Sequence, residues 1–170
     1  MKQPDFNSAA HKALSLLENH SYVAPPINPE QIARDMGLRV VYADFEGEDQ
    51  NNVSGFFRLA DKTILVNNAI SDNRITFTIA HELAHYLLHK DYIESNNYKP
   101  MPRNNIYVEE KPNEEVEADT FAANLLVPLK MLKKYKDVAT PEELATLFFV
   151  SEDVIRYRLD LLKRHPHFAR

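Results

Sequence analysis

Apolar residues follow two different rhythms in the first third of the chain. Near the N-terminus they recur at helical spacing, which predicts a helix over 5–19. Pro25 and Pro26 interrupt this pattern, and Pro29 then suits the first turn of a short helix that Gly37 ends. Three segments rich in β-branched and aromatic residues follow, and they predict strands at 38–42, 53–59 and 63–66.

The rest of the chain has mainly helical periodicity. Ser71 or Asp72 is suited to cap a long helix that runs to about His89. The polar stretch 90–112 contains tyrosines and three prolines, and it predicts a long loop that is either a lid or disordered. Further helices are predicted at 114–127, 141–149 and 152–162. A sheet this small must lean on helices to be stable.

Length and composition narrow the possible functions. The 170 residues suffice for one domain, 1–170, in which 141–163 form a helical subdomain. The absence of cysteine excludes disulfides, thiolate metal sites and a cysteine nucleophile, and it fits a reducing compartment. A net charge of −5 argues against a protein that coats nucleic acid. No long apolar run or signal-peptide pattern occurs, so we expect a cytoplasmic protein with no membrane association.

The segment 81–85, His-Glu-Leu-Ala-His, carries the strongest chemical pattern. His81 and His85 are four residues apart, so a helix places both imidazoles on one face, where they can bind one metal ion. Glu82 would then act as general base on the water that the metal holds. The pattern also arises by chance on amphipathic helices. The surrounding residues are largely apolar, however, and buried His and Glu side chains need partners such as a metal.

A zinc site also needs a third protein ligand. His89 continues the four-residue series, but we expect it to be a helix-end histidine near the negative end of the dipole. The acidic run 114–119 is the better source. We prefer Glu117 as ligand with Glu114 as its outer-shell partner, and the reverse assignment stays open. The alternative is that each acid is a solvated surface carboxylate.

Together these segments resemble a known family. The stretches that carry the resemblance are 74–89, 115–128, 54–57 and 64–67. They look like the ImmA/IrrE family of zinc metallopeptidases, over roughly residues 28–162. The resemblance implies that His81, His85 and Glu117 bind one zinc ion and that Glu82 is the catalytic base. It also implies a zincin-like α+β domain with zinc between two long helices and a small, partly antiparallel sheet beside the cleft.

The same resemblance implies a biological role. Members typically act inside bacteria, often from phages, mobile elements or stress-response loci. They are associated with site-specific cleavage of a helix-turn-helix repressor, which derepresses genes. The alternative is a regulatory module that keeps the zinc fold without catalysis and docks a partner protein or DNA. Glu82 favours the enzyme, because a binding module needs no base at that position. The ligand set also suits iron, but Glu82 and the resemblance favour zinc.

The closing helices have the rhythm of a helix-turn-helix. A DNA-reading helix would include 154–158, yet it is preceded by Ser151 and the acids Glu152 and Asp153, which repel phosphate. We therefore expect packing or partner docking here instead of direct DNA binding.

Two features of substrate handling stay open. The segment 63–67 is either an edge strand that binds extended peptide or a core strand. Four residues are chemically able to stabilise an oxyanion, and the sequence does not choose among them: Tyr107, Tyr157, His165 and His167.

Overall fold

The computed structural model describes residues 3–47, 52–95, 98–102 and 111–165, and within them the chain forms an α+β fold. The eight helices among these residues are α1 Phe6–Asn19, α2 Pro29–Asp35, α3 Asp72–Leu88, α4 Lys90–Ile93, α5 Asn113–Leu126, α6 Leu129–Tyr135, α7 Pro141–Phe148 and α8 Glu152–Arg164. The four strands are β1 Arg39–Ala43, β2 Val53–Arg58, β3 Thr63–Asn67 and β4 Met101–Pro102. The helix at 90–93 and the two-residue strand β4 lie in the segment for which the sequence predicted only a loop.

Local capping explains where several helices begin. The Asp5 side chain accepts a hydrogen bond from the Ser8 backbone N–H at the start of α1. Asn28 caps α2 in the same way, with Pro29 in the first helical turn. Thr140 and Glu143 form a reciprocal capping box at the start of α7. These short-range contacts account for the agreement between the predicted and observed starts of these helices.

The sheet has the strand order β1-β3-β2-β4. Strand β3 pairs in parallel with β1 and antiparallel with β2. Its hydrogen-bonding groups are therefore engaged on both sides, and the interpretation of 63–67 as a peptide-binding edge strand is wrong. The alternative, a core strand, is confirmed by the full burial of Ile64 and Val66.

Strand β2 lies unusually close to its neighbours at Gly55. A Cβ atom there would lie 2.5 Å from the Leu65 carbonyl oxygen and 2.7 Å from Thr78 Cγ2. Glycine is therefore required by the close approach of strand β2 to both β3 and α3. This contact fixes the distance between the sheet and the helix that carries the histidines.

Helices α3 and α5 pack against each other in the core, and α1 covers α5. Small residues allow the close approach of the two long helices, since Ala80, Ala84, Ala118 and Ala122 are all fully buried. Helix α3 also packs on β2 and β3. Among the described helices, none is long and apolar enough to cross a membrane.

The C-terminal pair α7 and α8 is joined by a tight turn in which Phe149 adopts a left-handed backbone conformation. Arg158 of α8 is buried and donates hydrogen bonds to the Val127 carbonyl oxygen and to Asn124 Oδ1. It thus provides a hydrogen-bond donor for a backbone carbonyl group at the C-terminal end of α5. Arg158, the last residue of the segment 154–158 considered for DNA reading, is therefore engaged in packing.

Candidate metal centre

Helix α3 brings His81 and His85 together with a carboxylate of α5. Nε2 of His81 lies 3.1 Å from Nε2 of His85. Glu115 reaches both rings, with Oε2 3.2 Å from His81 Nε2 and Oε1 3.3 Å from His85 Nε2. The three residues can each offer one ligand atom within 4.8 Å of the others. Both histidines are buried, so the three groups converge on one small, enclosed point between α3 and α5.

The structure places Glu115 at this point, where the sequence analysis expected Glu117. Glu117 points elsewhere, with Oε2 2.8 Å from Nε2 of His89 and Oε1 accepting the Asp5 backbone N–H at 2.7 Å. The reason is helical geometry, because two residues along an α-helix rotate the side chain by about 200°. Glu114, the open alternative, lines a surface pocket with His89 and Glu117.

Given the packing of α5 on α3, helical spacing along α5 identifies Glu115 as the third group. Glu115, Ala118, Asp119 and Ala122 are spaced three and four residues apart, so they share one face of α5. That face carries the two small alanines that let α3 approach. The acids beside those alanines therefore meet the histidine pair, whereas Glu117 lies on another face of α5 and meets His89.

Asp119 supports His81 from the side opposite Glu115. Oδ1 of Asp119 lies 2.9 Å from Nδ1 of His81, and Lys111 Nζ donates to Oδ2 at 2.8 Å. Burial alone would lower the pKa of His81, but the hydrogen bonds to Asp119 and Glu115 outweigh it and raise that pKa to about 10. Burial likewise opposes ionisation of Glu115, yet its bonds to the two histidines hold its pKa below the usual range.

The raised pKa of His81 and the lowered pKa of Glu115 both indicate a site that favours positive charge at its centre. Glu82, Glu115 and Asp119 surround the histidine pair, and the raised pKa of His81 shows how strongly they attract a proton. A divalent cation would supply the same charge. Two imidazole nitrogens and one carboxylate are the ligand set of many catalytic zinc sites, with a position left for substrate or water. The residues present therefore fit a metal ion.

Glu82 has two different carboxylate oxygens. Its side chain is fully buried, and Oε2 accepts a hydrogen bond from the Tyr98 hydroxyl at 2.7 Å. Oε1 is buried without a hydrogen-bond partner among the described residues. A buried polar atom without a partner is costly, and such atoms are found where function requires them. This arrangement leaves one oxygen of the predicted base ready to accept a proton.

Tyr98 was not foreseen from the sequence. Its hydroxyl donates to Glu82 and also accepts the Phe57 backbone N–H of β2 at 2.5 Å. Burial and the neighbouring Glu82 carboxylate raise the pKa of Tyr98, so the phenol stays protonated and remains a donor. It lies in a stretch without helical or strand periodicity, so only its residue type offered a signal.

The described part of 90–112 covers the site. Tyr92 of α4 donates from its hydroxyl to Oε1 of Glu115 at 3.0 Å. The rings of Tyr92 and Tyr98 each lie 5.5 Å from the His85 ring and 5.7 Å from each other. The Tyr92 hydroxyl therefore contacts Glu115, the third candidate ligand, and the Tyr98 hydroxyl contacts Glu82, the candidate base.

Two of the four predicted oxyanion candidates, Tyr157 and His165, lie within the described residues. Tyr107 and His167 lie outside the described residues. Tyr157 is 53% exposed on α8, and His165 follows the end of that helix. Tyr98 is the phenol that the structure places beside the base.

His89 ends α3, as expected, but its ring faces inward. It is buried, with Nδ1 3.1 Å from Nδ1 of His85 and Nε2 2.8 Å from Glu117 Oε2. Burial lowers the pKa of His89, more than the Glu117 carboxylate raises it. The neutral ring is thus the favoured form.

Comparison with known proteins gives a consistent picture. Residues 33–160 match the Peptidase M78 family, described as the IrrE N-terminal-like domain. A Bacillus phage phi105 protein named "Uncharacterized immunity region protein 2" is 30% identical over 138 residues, which cover 74% of this chain and 81% of that protein.

A solved structure shares the fold. A Mycobacterium tuberculosis transcriptional regulator superposes with a TM-score of 0.65 at 16% identity, over 90% of this chain. The chain spans 46% of that regulator's length, and at this identity the likeness concerns the fold alone.

Proposed function

The chain belongs to the IrrE N-terminal-like family of M78 peptidases, and from this premise we propose that it is a zinc-dependent endopeptidase that cleaves a regulatory protein. In this proposal His81, His85 and Glu115 hold one zinc ion, and Glu82 is the catalytic base. The observation that carries the proposal is Glu82 itself. It is fully buried beside the candidate ligands, with one oxygen held by Tyr98 and the other without a partner among the described residues.

The roles of the chain's own groups follow from their positions. Zinc, when bound, polarises a substrate carbonyl and lowers the pKa of water to about 7. Oε1 of Glu82 takes the proton from the attacking water and returns it to the leaving amine. Tyr98 fixes the other oxygen through its hydroxyl, so the carboxylate keeps one orientation. The rings of Tyr92 and Tyr98 limit access of bulk water to these groups.

The ligand count supports catalysis over a structural role. Structural zinc sites are usually closed by four protein ligands, whereas catalytic sites use three and keep a position open. Asp119, another acid beside His81, is already held by His81 Nδ1 and Lys111. Within the described residues, the group that can hold a metal is limited to His81, His85 and Glu115.

For the substrate we propose a helix-turn-helix repressor whose cleavage derepresses genes, with the reaction taking place in the cytoplasm. The phage relative is named for an immunity region. That name supports a role in controlling a repressor. Direct DNA binding is not part of the proposal, because Arg158 is buried in packing and Arg156 is paired with Glu152.

The experiment that tests this function is a mass-spectrometric survey of new protein N-termini in the native host. Cells with wild-type protein are compared with cells carrying Glu82→Gln, which keeps the candidate ligands and removes the base. Glu142→Gln, on the exposed face of α7, is the matched control. We expect new termini in one regulator with the wild type and the control only. Identical termini in all three strains, at rest and under stress, would favour a non-catalytic binding module instead.

A further inference from the structure

The hydrogen bonds around His85 continue outward to the N-terminal helix. Nδ1 of His85 lies 3.1 Å from Nδ1 of His89, and Nε2 of His89 lies 2.8 Å from Oε2 of Glu117. The other oxygen of Glu117 accepts the backbone N–H of Asp5 at 2.7 Å. Asp5 is also the residue that caps α1. A continuous series of contacts therefore joins a candidate metal ligand on α3 to α5 and α1.

The direction of each hydrogen bond follows from the ligand geometry. The Nε2 atoms of His81 and His85 both face Glu115, so these are the ligating nitrogens. A neutral imidazole that binds a metal through Nε2 carries its hydrogen on Nδ1. His85 must then donate from Nδ1, and Nδ1 of His89 must accept. Neutral His89 consequently carries its hydrogen on Nε2, where Glu117 accepts it.

Every donor in this series meets an acceptor, and the opposite arrangement fails. If His89 carried its hydrogen on Nδ1, two N–H groups would face each other at 3.1 Å and Glu117 would face a bare nitrogen. His85 is fully buried and His89 is 7% exposed, so solvent has little access to replace either partner. The Glu117 carboxylate thus selects one tautomer of His89, which selects one tautomer of His85.

The two candidate ligands on α3 are supported in different ways. His81 meets a carboxylate directly, through Asp119. At its Nδ1 atom His85 meets no carboxylate directly among the described contacts; it meets the His89 ring, which in turn meets the Glu117 carboxylate. Partners of this outer kind fix ring orientation and raise the basicity of the ligating nitrogen.

We propose that His89 and Glu117 are positioning residues for His85, and that they set the affinity of the site for its metal ion. This inference rests on the proposed function, since it assumes that His81 and His85 bind a metal. It assigns Glu117 a role outside the ligand set. It also makes the docking of α1 part of the support, because the Asp5 N–H holds the Glu117 carboxylate in place.

The test measures zinc affinity by competition with a chromophoric chelator, on the full chain. His89→Leu removes the acceptor for His85 and should weaken zinc binding by roughly 10- to 100-fold. His89→Asn places a side-chain oxygen near the former Nδ1 position and should recover most of that loss. In Glu117→Gln an amide faces the two donors, His89 Nε2–H and Asp5 N–H. The zinc affinity of this variant should lie between those of the two His89 variants. His11→Leu changes an exposed histidine on α1 and should bind zinc like the wild type.

A spectroscopic readout separates positioning from general destabilisation. In the zinc-loaded wild type, correlations between imidazole nitrogens and ring protons should show His89 as the Nε2–H tautomer. The melting temperature of each metal-free variant reports its folding independently of metal affinity. If His89→Leu does not fold, the affinities of His89→Asn and Glu117→Gln decide, the latter being expected to be the weaker.

The outcomes distinguish a failure of the proposed function from a failure of the positioning role of His89 and Glu117. A wild-type chain that binds no zinc at His81 and His85 would reject the proposed function together with this inference. A wild type that binds zinc, with folded His89 and Glu117 variants of equal affinity, would reject only the inference. The His89 tautomer with its hydrogen on Nδ1 would also reject it.

Discussion

Nδ1 of His81 lies 2.9 Å from Oδ1 of Asp119, so this carboxylate fixes the ring that presents Nε2 to Glu115. Asp119→Ala should therefore weaken zinc binding by roughly 10- to 100-fold while leaving all three candidate ligands in place. Asp119→Asn keeps an acceptor oxygen and should lose less. Isothermal titration with zinc measures both, and unchanged affinity in Asp119→Ala would show that His81 is oriented by other contacts.

Metal binding should release a proton. The pKa of His81 is raised to about 10 in the metal-free protein, because hydrogen bonds to Asp119 and Glu115 outweigh the opposing effect of burial. The cation must displace that proton, so apparent affinity should rise with pH by about tenfold per unit below that pKa. Calorimetry in buffers of different ionisation enthalpy should report about one proton released per ion. An affinity independent of pH between 6 and 8 would contradict the assignment.

Tyr98→Phe should lower turnover without changing metal affinity. The substitution removes the hydrogen bond to Oε2 of Glu82 and leaves the ring packing on His85. Hydrogen bonds to charged groups are worth about 1.5–3 kcal/mol, which corresponds to a roughly ten- to hundredfold loss of kcat. Steady-state kinetics on the identified substrate, beside a zinc titration, measures the two effects. A variant with faster turnover would indicate that Tyr98 obstructs the site instead of orienting the base.

Gly55→Ala should destabilise the protein. The added methyl group would lie 2.5 Å from the Leu65 carbonyl oxygen and 2.7 Å from Thr78 Cγ2, so strand β2 must shift away from α3 or β3. Overpacking of this kind typically costs about 1–3 kcal/mol. Urea unfolding of the metal-free protein measures the change, with Ala60→Ser at an exposed position as control. Equal stability of the two variants would show that the strand moves freely at this point.

The helices and the paired histidines were predictable because their signals are local. Capping residues, helical apolar spacing and the interval between His81 and His85 each act within a few residues. The strand order was not predictable in the same way. It depends on pairing between segments far apart in the chain, so the central position of β3 appeared only in the structure.

The third candidate ligand could not be predicted from local sequence signals. Glu115 and Glu117 differ by two residues, yet one faces the histidine pair and the other faces His89. Helix α5 packs on both α3 and α1, so its own sequence does not show which of the two acids faces the histidine pair. The site contacts of Tyr98 and of the inward-facing His89 ring were missed for a related reason. Their roles come from contacts with other elements, and neither residue type identifies its partner.

The claim on which the account depends is that Glu115 completes the metal site. The most direct measurement is the zinc affinity of Glu115→Gln beside Glu117→Gln and Glu114→Gln, each by chelator competition on the full chain. We predict that Glu115→Gln loses far more affinity than Glu117→Gln, whose loss should stay below the roughly 10- to 100-fold expected of His89→Leu, and that Glu114→Gln binds like the wild type. Wild-type affinity in Glu115→Gln, with the large loss in Glu117→Gln or Glu114→Gln, would contradict the account.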